Sequence, residues 1–225
     1  MELSDNTLTT LKNFSSINPN MMIRSGNTIK TISEARTVLA TAHVAEQFPK
    51  DFGIYDLNEF MGVLSLVDQP RLKFEDEYMV VNDSTGRSKV KYFYSSEDTL
   101  TTPQKDITMP EANVKFTLDN DTMNKLKRAA STFGHSEISI SGKDGVLSLS
   151  VVDSQNMTSN AFSIDVDGEF ADDAKFNFIL STNNLKILPG DYTVEISSKL
   201  ITQFSHKSLD VKYWIALEKS STFGV

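Results

Sequence analysis

The sequence predicts an α+β fold of two tandem, topologically similar domains, each with two helices packed on antiparallel β-sheet. Three observations predict it. The stretch Thr117 to Val151 reads TLDNDTMNKLKRAASTFG and then HSEISISGKDGVLSLSV, an amphipathic helix feeding a β-hairpin. Leu3 to Thr31 opens the chain on the same plan, as LSDNTLTTLKNFSSI and then NPNMMIRSGNTIKT. Thr7, Leu8, Leu11 and Lys12 precede Thr122, Met123, Leu126 and Lys127 by a constant 115 positions, and Gly26 meets Gly142 after one inserted residue. A second echo pairs Phe52 to Leu64 (FGIYDLNEFMGVL) with Asn177 to Leu188 (NFILSTNNLKIL), each a strand and then a short helix. An internal repeat decides architecture before composition does.

In order along the chain, Leu8, Leu11, Phe14 and Ile17 recur every three residues and predict a helix with one buried stripe. Ser4 or Asp5 caps its start, and Asn18-Pro19 ends it, because the residue before a proline resists helical geometry. Strands follow at Met21 to Arg24, Thr28 to Ile32 and Val38 to Ala45. Phe52 to Tyr55 leads into the short helix Leu57 to Leu64. Arg71 to Glu75, Tyr78 to Val81 and Lys89 to Tyr94 complete the first half, with Asn82 to Gly86 as the turn between the last two. Residues 96–113 are polar, contain Pro103 and Pro110, and lack periodicity, so they read as a linker. The domains are therefore 1–95 and 114–225.

The second half restarts at Thr117 with a helix whose stripe is Met123, Leu126, Ala130 and Phe133, and whose exposed side carries Lys125, Lys127 and Arg128. Asp119 and Asp121 sit at its positive end, where anions stabilise. A hairpin through Lys143-Asp144-Gly145 follows, then strands Asn160 to Val166 and Phe176 to Leu180. A short helix Asn183 to Leu188 precedes Pro189-Gly190, and Tyr192 to Ser197, Leu200 to His206 and Leu209 to Glu218 close the sheet.

Composition narrows the function. The 225 residues, 39% of them hydrophobic, suffice for two cores. There is no cysteine, so disulfides and thiolate metal sites are excluded and a reducing compartment is expected. The start MELSDNTLTT lacks the marks of a signal peptide, and no apolar run approaches the roughly 20 residues that span a bilayer. The expectation is a soluble, intracellular protein with no membrane partner. A net charge of −8 argues against gripping nucleic acid over the whole surface, while leaving room for a local basic face.

Catalytic constellations are missing. His43, His135 and His206 are far apart, and none has a partner at metal-ligand spacing. Asp119-Asn120-Asp121 begins like a calcium loop, but Met123 takes the next ligand position and the required glycine is absent. Asp165-Val166-Asp167 and Asp172-Asp173 read as solvated acids. There is no glycine-rich phosphate loop and no nucleophile elbow. No catalytic residue, metal or cofactor is expected. What remains is the basic cluster Lys125, Lys127 and Arg128. On one isolated helix it is an ordinary solvated face, but the duplicate helix repeats it with Lys12 at the position of Lys127.

These residues resemble the sliding-clamp, or processivity-factor, family, and most closely the trimeric clamps of T-even-like bacteriophages. The resemblance is carried by LSDNTLTTLKNFSSIN, by FGIYDLNEFMGVLSLV (Phe52 to Val67), by FNFILSTNNLKILPGDYTVEI (Phe176 to Ile196) and by the ending YWIALEKSS, and it runs almost end to end. It implies the DNA clamp fold and a head-to-tail homotrimeric ring whose helices face an enclosed DNA duplex. An ATP-dependent clamp loader would open this ring, which tethers the replicative DNA polymerase. It also implies contact with late-gene transcription factors, residence in the cytoplasm of the infected host cell, and no catalysis.

On this resemblance Lys12, Lys125, Lys127 and Arg128 face DNA, with Lys186 a further candidate. The subunit seam joins Tyr92, Phe93 and Tyr94 to Phe162 and Ile164 of the next chain. Ile107, Met109 and Pro110 rim a pocket for partner peptides; the tail Ser221 to Val225 either contributes to it or is simply frayed. A protein-interaction scaffold on the same duplicated fold, without DNA, is the competing reading. A hydrolase built on Asp165 and Asp167 is a third.

Overall fold

The computed structural model describes residues 1–156 and 158–224. The chain divides into two units, Met1–Asp106 and Ile107 onward. The first opens with α1 (Asp5–Ile17), whose N-cap Ser4 accepts the Thr7 N–H on its Oγ at 3.3 Å. Its buried face is Thr7, Thr10, Leu11, Phe14 and Ile17, with Leu8 only half-buried. A stripe of period three drifts off a helix of 3.6 residues per turn, so threonines take the inner positions at its start. Thr10 satisfies its hydroxyl by donating to the Asn6 carbonyl at 2.7 Å.

Asn18 turns the backbone extended, and β1 (Met21–Ile23), β2 (Gly26–Ile32), β3 (Val38–Phe48) and β4 (Phe52–Ile54) follow. β1 pairs with β4 and β2 with β3, both antiparallel, with a bulge between Gly26 and Thr28. Asp56 caps α2 (Leu57–Ser65), which buries Leu57, Phe60 and Leu64. The meander β5 (Arg71–Phe74), β6 (Tyr78–Asn82) and β7 (Lys89–Phe93) completes the unit, leaving β7 on the margin of its three-stranded sheet.

Phe52 is the hub of this core, with its ring 5.8 Å from Phe48 and 5.4 Å from both Phe74 and Tyr94. Beside it Gly53 lies so close to the chain after β7 that a Cβ there would stand 2.3 Å from the Ser95 carbonyl oxygen. Ser95 N–H donates to the Gly53 carbonyl at 3.0 Å, which fastens β4 to that segment.

Residues 96–113 form one 3-10 turn, Glu97–Thr99, and are otherwise irregular. They are tied down at both ends. Thr101 N–H donates to Asn20 Oδ1 at 2.8 Å, and Asn113 N–H donates to the Ile196 carbonyl at 2.7 Å.

The second unit contains β8 (Val114–Leu118), α3 (Asn120–Phe133), β9 (Glu137–Lys143), β10 (Val146–Val152), β11 (Phe162–Val166), β12 (Gly168–Phe170), β13 (Lys175–Ser181), β14 (Tyr192–Ser197), β15 (Ile201–His206), β16 (Val211–Ala216) and β17 (Thr222–Gly224). All pairings within the unit are antiparallel, in the orders β11-β10-β9-β13-β17 and β12-β8-β14-β15-β16.

Three sequence expectations are corrected here. The short helix expected over Asn183 to Leu188 is a single 3-10 turn, Thr182–Asn184. Thr and Asn are weak helix formers, and Pro189 disfavours helical geometry at Leu188. Leu185, Ile187 and Leu188 are all buried. Tyr192 Oη donates to the Leu188 carbonyl at 2.6 Å, and Leu188 N–H donates to Tyr213 Oη at 3.3 Å, so two tyrosines supply the partners a helix would have supplied. The second unit thus has one α-helix rather than two.

Thr117 belongs to a strand and not to the start of a helix. Val114, Phe116 and Leu118 alternate inward over a run too short to separate from the linker by pattern alone. The tail forms β17, with Phe223 stacked on Phe176 and Phe178 at ring distances of 6.4 and 6.0 Å. Val225 lies outside the described residues.

Candidate nucleic-acid interface

α1 and α3 are equivalent in register as well as in sequence. Each starts at a cap whose side chain accepts from the third residue onward, Ser4 from Thr7 N–H and Asp119 from Thr122 N–H at 2.7 Å. Lys12 and Lys127 each stand eight positions beyond their cap, on the same side of their helix relative to that cap. On α3 the opposite face is core. Met123 and Leu126 are 4% and 1% exposed, which contributes about 1.5–3 kcal/mol per side chain.

The bases themselves are unequal. Lys12 and Arg128 are exposed. Lys125 pairs with Asp121 one turn earlier, Nζ to Oδ2 at 2.7 Å, so part of its charge is answered within the helix. Lys127 is half-buried along its stem, and burial lowers its pKa below the ordinary lysine value. Asp119 is held below the usual carboxylate range, first by the Thr122 backbone N–H. Lys186 is exposed but follows the 3-10 turn, so it projects from an irregular segment and not from a helix.

Of the expected seam residues, Phe93 is 60% exposed on β7. Tyr92, on the other face of that strand, packs edge-on against Phe60 at 5.3 Å, and burial pushes its hydroxyl up to about 12. Tyr94 is half-buried against Phe52. Phe162 and Ile164 lie half-buried on β11, which is the margin of its own sheet. Both strands therefore end a sheet with their outer backbone edges available. Ile107, Met109 and Pro110 are half-buried in the irregular stretch before β8.

Lys89 and Lys91 lie within the expected seam strand without being singled out by the sequence, and Asp165 and Asp167 read there as solvated acids. The structure puts all four on the exposed faces of these two margins. Period-two charge alternation is the signal that marks them. Among the described residues no group of three His, Cys, Asp or Glu is placed to hold a metal ion, and no helix is long and apolar enough to cross a membrane.

Comparison with known proteins covers both halves. Residues 4–101 match the family described as DNA polymerase processivity factor, and residues 115–219 match gp45 sliding clamp, C terminal. A sliding clamp of Vibrio phage KVP40 is 32% identical over 223 residues, covering 97% of this chain and 99% of that protein. One from Escherichia phage RB69 is 31% identical over 232 residues, covering 99% of each. Among solved structures, the PCNA2-PCNA3 complex of Sulfolobus tokodaii superposes with a TM-score of 0.68 at 13% identity, covering 97% of this chain and 98% of that one. Proliferating Cellular Nuclear Antigen of Entamoeba histolytica gives 0.67 at 13% identity over 94% of each chain. At these identities the two structures show the shared fold.

Proposed function

The chain belongs to the sliding-clamp family, whose members are non-enzymatic polymerase accessory proteins, and on that premise we propose that it closes into a homotrimeric ring around duplex DNA. The ring tethers a phage replicative polymerase and is opened by an ATP-dependent clamp loader. It works in the cytoplasm of the infected cell and also contacts late-transcription factors. Lys12, Lys125, Lys127 and Arg128 face the DNA, with Lys186 beside them. β7 of one subunit meets β11 of the next, and Ile107, Met109 and Pro110 rim the partner-peptide pocket.

One observation carries this reading. The same capped helix recurs 115 residues later with a lysine at the same step. A ring holds its track by topology, so individual phosphate contacts can stay weak and the protein can slide. A modest positive face on an acidic body fits that demand better than a strongly basic one. The Lys125–Asp121 pair favours the competing reading, a scaffold that does not bind DNA, because it removes charge from the face in question.

The test has two stages. Light scattering should give about 75 kDa, three chains of 25.1 kDa. Clamps loaded on nicked circular DNA should remain there and run off once the circle is cut. Replacing Lys125, Lys127 and Arg128 together by alanine should lower retention several-fold without dissolving the trimer. A monomer, or equal retention on cut and circular DNA, would overturn the reading.

A further inference from the structure

The sheet margins β7 and β11 carry opposite charge in matching alternation. On β7 the exposed face holds Lys89, Lys91 and Phe93, and the inner face holds Val90, Tyr92 and, just past the strand, Tyr94. On β11 the exposed face holds Ser163, Asp165 and, just past the strand, Asp167, and the inner face holds Phe162, Ile164 and Val166.

Antiparallel addition of one margin to the other has a register that satisfies both faces at once. Lys89 then stands opposite Asp167, Lys91 opposite Asp165 and Phe93 opposite Ser163. On the inner face Val90 meets Val166, Tyr92 meets Ile164 and Tyr94 meets Phe162. A slip of one residue would put Val90 and Tyr92 of the inner face against charged or polar side chains, Asp167 and Asp165 in one direction and Asp165 and Ser163 in the other. A slip of two in one direction leaves Lys91 opposite Ser163; in the other it carries Lys89 past the end of β11 to Glu169, on β12, and leaves Val90 facing Gly168.

We infer that the seam between subunits closes in this single ionic register, with Lys91–Asp165 and Lys89–Asp167 as its cross-strand pairs. The inference rests on the ring reading above and adds to it the device that selects the partner edge. Lysine on an exposed strand ordinarily serves to keep that edge unpaired. Here the same lysines repel a second β7, and Asp165 and Asp167 repel a second β11, so neither edge pairs with its own kind. Between these two edges only the unlike pairing remains, which is head to tail and gives a ring where its rotation closes. Lys91 is held in reserve on the free subunit, its Nζ 3.7 Å from the centre of the Tyr78 ring and 4.6 Å from that of Phe93. Asp165 Oδ1 is oriented by the Ser148 hydroxyl, which donates to it at 2.5 Å.

Light scattering against protein concentration and salt tests this. Lys91→Glu alone and Asp165→Lys alone should each raise the concentration at which trimer forms by about tenfold, and the two together should restore it. Raising salt should weaken the unaltered trimer in the same direction. Because the chain has no cysteine, introduced pairs report the register directly. Phe93→Cys with Ser163→Cys should cross-link into a covalent trimer, and Phe93→Cys with Asp165→Cys should not. A trimer indifferent to both reversals and to salt, or one that cross-links through the shifted pair, would overturn the inference while leaving the ring intact. An unaltered chain that stays monomeric at every concentration would instead sink the ring itself.

Discussion

The helices α1 and α3 are one helix built twice, and they differ in what holds their first turn. In both, the positive N-terminus meets its own cap and a carboxylate from elsewhere in the fold. For α1 that carboxylate is Glu46 on β3, only 9% exposed, which accepts the Ser4 N–H and the Thr7 hydroxyl. For α3 it is Asp191, exposed before β14, which accepts the Asn120 N–H at 2.8 Å. The far ends differ as well. α1 stops at extended Asn18 ahead of Pro19, whereas α3 stops at Gly134 in the left-handed region, φ 71°. Duplication has preserved the electrostatic requirement and exchanged the residues that meet it. The first unit meets it inside the core and the second at the surface.

The sharpest way to break that comparison is at Glu46. Glu46→Ala leaves the Thr7 hydroxyl and the Ser4 N–H without their buried acceptor and should cost about 2–3 kcal/mol. Amide exchange should show the loss in α1 and leave α3 protected; equal loss in both helices would mean that the units do not separate in this way. Burial raises the Glu46 carboxyl, and the bonds from Thr7 and Ser4 outweigh it, leaving the group below its ordinary value. A depressed carboxylate stabilises above its unfolded pKa, and that contribution fades as pH falls through the folded one. Protection of α1 should therefore hold above the ordinary carboxyl value of 4.5 and drop progressively as pH falls below it, and Glu46→Gln should flatten the slope.

A smaller effect is expected at the other end of α3. Gly134→Ala meets no neighbouring atom, so only the strain of a positive φ remains, about 1 kcal/mol by urea denaturation. The smallest is Asp191→Ala, about 0.5 kcal/mol, because water replaces much of what an exposed carboxylate supplies. If Asp191→Ala matched Glu46→Ala in size, the contrast between core and surface capping would be wrong.

Much of this architecture was legible because repeats and periodicity are local. The two long helices, the hairpin through Asp144 and the meander ending at β7 follow from patterns of 3.6 and 2 residues. The segment Leu185 to Leu188 was not legible. Its replacement for a helix depends on hydroxyls of Tyr192 and Tyr213, which are distant in sequence from the turn they serve or hidden in the next strand. Among the candidate residues, the positions of Lys12 and Lys127 could be read from the offset, but the Lys125–Asp121 pairing and the partial burial of Lys127 required side-chain geometry. Tyr92 shows the same limit. Its neighbours fit a strand margin, yet alternation alone does not say which face packs on Phe60.

The tyrosine pair behind that segment also sets an alkaline ceiling. Burial keeps the phenols of Tyr192 and Tyr213 neutral well beyond their ordinary range, while the same groups in an unfolded chain ionise near about pH 10. Above that point the unfolded chain releases protons that the folded one retains, so stability recedes as base is added. The strand and loop latched by these two hydroxyls should be the first part of the second unit to let go.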